Sequence, residues 1–134
     1  NYFCRVLSPY IGKRVLEVGA GLGETTKALC DGSQSLWVCT EPDSGLRQKI
    51  DKEISGAQIP ACCRTSPFKV AEIPDDQSFD TVIYIDVLEH IAEDREELFE
   101  ASRLLEKGGF LIVLSPAYQC LFSEFDRSIG HKRR

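Results

Sequence analysis

Short apolar runs alternate along this chain with stretches spaced as helix faces, and that alternation restricts its fold more than any other feature. Arg14-Val-Leu-Glu-Val-Gly19 is a first apolar strand ending in glycine. Glu24 to Asp31 read as a helix that Gly32 stops. Leu36-Trp-Val-Cys-Thr40 is a second strand; Leu46, Ile50 and Ile54 then recur every four residues on one helical face, with Asp43 or Ser44 to cap its start. A weaker third strand lies near Ala61 to Thr65, and Phe79-Asp-Thr-Val-Ile-Tyr-Ile-Asp86 is a strong fourth. Ile91, Leu98 and Leu105 share a helix face with Ala101; Asp94 and Glu97 suit a capping box, and Gly108-Gly109 are expected to end that helix. Phe110-Leu-Ile-Val-Leu114 is near-continuously apolar, as a strand covered on both faces must be. Strands separated by helices join through right-handed crossovers, so the expected fold is α/β, a doubly wound, mainly parallel sheet of about five strands. Ligands of such sheets sit beyond the carboxyl ends of the strands, where strand order reverses. The residues just after each strand therefore carry the functional information.

The 134 residues are expected to form one domain, residues 1–134, and are too few for two. With 43% hydrophobic and 28% charged residues the chain is too apolar to be disordered. Sixteen Lys and Arg against 21 Asp and Glu give a formal net charge of −5, which argues against a protein that mainly coats phosphate backbones. No nucleic-acid partner is expected. No apolar run approaches the roughly 20 residues that span a bilayer, and no leader opens the chain. A chain that starts at Asn1 and contains no Met reads as a fragment. Six cysteines occur, without a C-x-x-C, and the adjacent Cys62 and Cys63 suit a tetrahedral metal poorly. No metal is expected; the thiols read as small hydrophobes in a reducing compartment, the cytoplasm.

After the first strand comes Glu17-Val-Gly19-Ala-Gly21-Leu-Gly23, then a helix. Glycines here permit positive φ and let the backbone approach a ligand. The dinucleotide fingerprint G-x-G-x-x-G would place its third glycine at position 24, which is Glu24. A carboxylate at a helix start disfavours a pyrophosphate, and Glu17 adds another acid beside the loop. Such a loop suits a ligand that is cationic nearby. Glu41 ends the second strand, where an acid can accept from both hydroxyls of a ribose. That feature fits NAD and other nucleosides equally, whereas Asp43 reads as a helix cap.

Val15-Leu-Glu-Val-Gly-Ala-Gly-Leu-Gly23 resembles the first motif of class I S-adenosylmethionine (SAM)-dependent methyltransferases. Phe79 to Ile91 resembles the fourth-strand motif of their small-molecule branch, the group similar to ubiquinone and menaquinone methylases, and Leu104 to Ile112 resembles the approach to their fifth strand. The resemblance runs from about Arg14 to Pro116 and implies a Rossmann-like fold. The family's sheet closes with an antiparallel hairpin for which the chain leaves no room, so a core truncated at the C-terminus is implied. The implied activity is methyl transfer from SAM to a small-molecule acceptor. By the same resemblance Glu17 and the backbone at Gly19 and Gly21 hold the methionine end of SAM, Glu41 the ribose, and Asp86 approaches the methionine moiety. Ala20, Gly23, Pro42 and Val87 complete the implied cofactor set. Many members place an acid after the third strand to meet adenine. Here Thr65-Ser-Pro-Phe-Lys69 has none, so a backbone group, Ser66 or the Phe68 ring must substitute.

His90, just past the fourth strand, is the one candidate to orient or deprotonate an acceptor; the alternative is a histidine that fixes the loop. His131-Lys-Arg-Arg134 is either an anion-binding end or a solvated, mobile terminus. With five strands the fifth lies at a sheet edge, to be covered by Ala117 to Ile129 or by another copy of the chain. Two other classes stay open: an NAD-dependent oxidoreductase, against which the Gly23 spacing and Glu17 count, and a non-catalytic SAM-fold binding module.

Overall fold

The structure is a computed structural model that describes residues 2–134. Five strands form one sheet: β1 (Arg14–Val18), β2 (Leu36–Thr40), β3 (Cys63–Ser66), β4 (Phe79–Ile85) and β5 (Leu105–Leu114), in the order β3-β2-β1-β4-β5. Every pairing is parallel. The order reverses between β1 and β4, so the switch point falls at the carboxyl end of β1, beside the glycine loop.

The helices are α1 (Tyr2–Leu7), α2 (Glu24–Leu29), α3 (Ser44–Ser55), α4 (Asp94–Leu104) and α5 (Glu124–Ser128). Because strand side chains alternate, β1 sends Val15 to one face and Leu16 and Val18 to the other. The first face packs Trp37, Cys39 and Ile83 against Cys4 and Leu7 of α1, Leu29 of α2 and Ile50 and Ile54 of α3. The second packs Val38, Val82 and Tyr84 against the short turn at Val70–Glu72 and against Ala101 and Leu104 of α4.

Several local expectations are corrected. The second helix stops at Leu29, and Cys30 is already extended. The third strand starts at Cys63, so Cys62 precedes it. Glu93, not Asp94, precedes α4, and no side chain caps it; Glu97 accepts from the Tyr84 hydroxyl at 2.9 Å. Gly108 and Gly109 do not end a helix. The strand has already begun at Leu105, and they lie in a bulge where two steps along β4 (Phe79 to Thr81) face five along β5 (Leu105 to Phe110). Asp43 does cap α3, accepting from the Leu46 N–H at 2.9 Å. The segment from Ala117 onward does not lie along the β5 edge; it folds over the carboxyl end of β4, described below.

Candidate functional site

The glycine loop turns directly out of β1. Gly19, Gly21 and Gly23 have φ of +68°, +56° and +79°, a region closed to most side chains. A Cβ on Gly19 would stand 2.8 Å from Val87 Cγ2, whereas one on Gly21 would meet no protein atom within 4 Å. Gly23 serves packing: its Cβ would press on Ile59 and Ile50. Ala20 is buried and donates its N–H to Thr40 O at 3.0 Å, fastening the loop to β2.

Glu41 laces this loop to the next. Its Oε2 accepts from the Gly21 N–H at 3.0 Å, its Oε1 from the Asp43 N–H at 2.9 Å, and its own N–H donates to Ser66 O at 3.0 Å. Arg47 donates to the carbonyls of Glu41 and Pro42 at 2.6 and 2.7 Å. The carboxylate is thus buried and fixed, and it serves hydrogen-bond donors on both sides.

Beside it opens a groove of about 350 Å³, lined by Gly19, Thr40, Pro42, Phe68, Val87 and Ile91 among others. Gly19, Pro42 and Val87 of the expected set therefore share one cleft, and Phe68 supplies an aromatic wall where no acid follows β3. Ser66 faces elsewhere, its Oγ accepting from the Phe68 N–H at 3.3 Å.

Glu17 is not brought to this groove. It shares the face of Val15, where its Oε2 accepts from Trp37 Nε1 at 2.7 Å and from Thr26 Oγ1 at 2.6 Å. Burial pushes its carboxyl up to about 7, although both hydrogen bonds pull the other way. Glu17 is a post beneath α2 and the loop.

Asp86 directly follows β4 at φ +54°, an uncommon conformation for a non-glycine residue. It borders a second cleft of about 270 Å³ with Cys4, Leu7, Ala28, Ile85 and Leu114. Burial and the nearby Glu89 raise its carboxyl above the usual range, against the pull of His131 and His90. Its N–H donates to Leu114 O at 2.9 Å.

The basic end is not a free tail. Lys132 N–H donates to Glu89 O, Arg133 to Ala92 O, and Arg134 Nε to Asp126 Oδ1 at 2.8 Å, while Arg133 also pairs with Asp94. His131 is seated between two carboxylates, its Nε2 4.0 Å from Glu89 Oε1 and its Nδ1 3.3 Å from Asp126 Oδ1, without hydrogen-bonding geometry. The His90 ring meets the His131 ring edge-to-face at 4.7 Å. Glu89 is 1% exposed, with Oε2 accepting from Ser115 Oγ at 2.9 Å. Burial pushes the Asp126 carboxyl up, but hydrogen bonds from Ser123 and Arg134 hold it well below the usual range. Glu89 falls within the motif-like stretch Phe79 to Ile91, but nothing in the sequence pairs it or Asp126 with His131; only the fold joins them.

A second cluster also escapes the sequence. Cys30 Sγ lies 3.6 Å from Cys62 Sγ and 3.5 Å from Cys63 Sγ, and its thiol reaches Gln34 Oε1 at 3.3 Å. Because Cys62 precedes the strand, the in-out alternation has not begun, and both adjacent thiols pack on one face.

Comparison with known proteins gives a family. A family model described as "Methyltransferase domain" matches residues 16–113. The demethylmenaquinone methyltransferase of Clavibacter sepedonicus is 27% identical over 113 residues, 81% of this chain and 43% of that protein. The tRNA U34 carboxymethyltransferase of Syntrophotalea carbinolica is 29% identical over 108 residues, 80% of this chain and 33% of that protein. The chain thus spans less than half the length of these curated relatives. The glycopeptide N-methyltransferase MtfA, crystallised with SAM, superposes with a TM-score of 0.71 at 21% identity, over 91% of this chain and 55% of that one.

Proposed function

The chain belongs to the methyltransferase-domain family, and on that premise we propose that it is the cofactor-binding core of an enzyme moving a methyl group from SAM to a small-molecule acceptor. One observation carries the reading: Glu41, buried between the groove residues Thr40 and Pro42, already accepts from donors on two sides, as it would from the two hydroxyls of a ribose. The groove beyond Gly19 then takes the nucleoside, with Phe68 against the base and Pro42 and Val87 as its walls. Gly21, open toward solvent, lets the methionine end pass along the loop. Asp86 and Glu24 line the second cleft and set negative charge near a sulfonium and an ammonium.

When bound, SAM supplies an electrophilic methyl on sulfur. The chain's part is to align the acceptor, exclude water and hold charge, which suffices for an acceptor already nucleophilic. The apolar cleft at Cys4, Leu7 and Leu114 suits a small acceptor with a carbon skeleton. A net charge of −5, with Arg133 and Arg134 tied to Asp94 and Asp126, disfavours a polyanion. His90, packed on His131, fits a loop-fixing role better than a general base. We further read residues 1–134 as one domain of a longer protein in a reducing, cytoplasmic setting, which the free thiols support, and the β5 edge as a place for self-association.

Calorimetry with SAM, S-adenosylhomocysteine and NAD tests the cofactor. The first two are expected to bind and NAD to give no heat; binding of NAD alone would return the chain to the oxidoreductase class. Glu41→Ala should weaken S-adenosylhomocysteine by about 1.5–3 kcal/mol. Release of S-adenosylhomocysteine from SAM with a panel of small quinol, phenol and amine acceptors, against a tRNA pool, tests turnover and acceptor class together.

A further inference from the structure

We propose that Cys30, Cys62 and Cys63 form a trithiolate site for one thiophilic d10 cation of the Zn(II) or Cu(I) class, at the end of the sheet opposite the cofactor groove. Metal–sulfur bonds of about 2.3 Å in tetrahedral array place two sulfurs about 3.8 Å apart. The observed separations from Cys30 are 3.6 and 3.5 Å, and all three sulfurs lie within 4.8 Å of one another. Adjacent cysteines suit one ion poorly where strand alternation points them apart, but Cys62 precedes β3 and packs on the same face as Cys63, so little movement is needed to bring all three onto one ion. Soft thiolates select such ions over Mg(II) or Ca(II).

The backbone holds the three residues where they are. Cys30 N–H donates to Thr26 O at 2.8 Å as α2 ends, Trp37 N–H donates to Cys62 O at 2.9 Å, and Cys63 N–H to Pro60 O at 3.0 Å. The two loops touch: a Cβ on Gly32 would contact Pro60 at 3.6 Å. Gln34 supplies an independent observation. It is a buried amide with its oxygen on Cys30 sulfur, in a place where an apolar residue would cost less. When a metal displaces the thiol proton, the same amide, turned over, donates N–H to the thiolate or offers its oxygen as a fourth ligand. Half-buried Cys62 gives the ion a way in. The cation would clamp the end of α2 to the start of β3, a structural role without part in methyl transfer.

The full chain, reduced and freed of metal, is titrated with Cd(II), followed by the thiolate-to-metal charge-transfer absorbance, and with Zn(II) against a chromophoric chelator. One ion per chain is expected. Three thiols should lose reactivity toward an alkylating reagent on metal addition, while Cys4 and Cys120 keep theirs. Cys62→Ser, at a half-buried position, should weaken Zn(II) by more than the roughly 10- to 100-fold that loss of an outer hydrogen-bonding partner costs, and Cys120→Ser should change nothing. Absence of a saturable one-to-one band overturns the proposal. So does equal affinity in Cys62→Ser, or a disulfide from Cys30 to either neighbour with no metal uptake after reduction. The alkylation pattern of the unaltered chain decides the matter even if a variant fails to fold.

Discussion

Glu17 and the loop glycines show what a residue type reveals and what only its facing decides. An acid two residues before a glycine loop is legible in the sequence, but strand parity turned this one away from the groove, onto Trp37 and Thr26. Its carboxyl is raised from the ordinary 4.5 to about 7, so the folded state binds that proton more tightly than the unfolded chain. Stability contributed by Glu17 is then full below about pH 4.5 and falls as pH rises to about 7, by about 3 kcal/mol. Denaturant unfolding at pH 5 and pH 8 should show this fall in the parent chain, and Glu17→Gln should remove most of it while keeping an acceptor for both donors. A Gln variant with the same pH slope would place the titration elsewhere. At the loop, Gly19→Ala must fit a Cβ 2.8 Å from Val87 Cγ2 at φ +68°. It should lose S-adenosylhomocysteine binding and some stability, since Val87 is both a groove wall and the clashing group. Gly21→Ala meets no protein atom and costs the fold only the left-handed strain of roughly 1–2 kcal/mol. Its loss of binding in calorimetry would therefore report a ligand on the loop, and unchanged affinity would remove the ligand from it.

Elements with strong apolar pattern were legible, and those that depend on distant partners were not. β1, β2 and β4 stand out because their runs are buried on two faces, whereas the equally apolar Phe110 to Leu114 of β5, expected to be covered on both faces, buries only Ile112 because it lies at the sheet edge. The bulge before Phe110 was hidden, because Gly108-Gly109 signals a stop in a helix and a kink in a strand alike. The distinction is physical: a Cβ on Gly109 would lie 2.7 Å from Asp80 O, so β4 itself presses on that residue. Gly109→Ala should lower the unfolding midpoint more than Gly108→Ala, which meets nothing within 4 Å although its φ is +85°. The basic end was legible as charge and not as a docked element, because its anchors Glu89 and Asp126 are ordinary acids until the fold assembles them. Asp126 is held below the ordinary 3.8, so what it adds to docking is present above that value and lost as pH falls through the lower folded one. Asp126→Asn should speed amide exchange across residues 119–134 at neutral pH and leave β1 and β4 protected. Slow exchange of that segment in the variant would mean that Lys132 and Arg133 hold it unaided.

On the scale of the whole molecule, two covered faces meet an uncovered edge. The first face of the sheet is closed by α1, α2 and α3; the second is closed over β1, β2 and β4 by α4 and the turn at Val70–Glu72. That second cover does not reach β5, where Leu111 and Val113 point the same way as Val82 and Tyr84 and remain 40% and 45% exposed. The strand's outer side also carries unpaired N–H and C=O groups, a template for another chain. The chain's own last segment is committed elsewhere, to Glu89 and Ala92 at the top of β4. We propose that a second copy covers this edge: related by a two-fold axis it would satisfy both needs, because antiparallel pairing of two β5 strands would close the ladder and bring the two apolar stripes together. Light scattering over a concentration series should show the molar mass rising toward that of two chains. Leu111→Lys with Val113→Lys should restore one chain at all concentrations while S-adenosylhomocysteine affinity stays the same, since neither residue borders the groove. A parent chain that stays single at every concentration, with its β5 amides exchanging fast, would mean that the edge tolerates water and needs no partner.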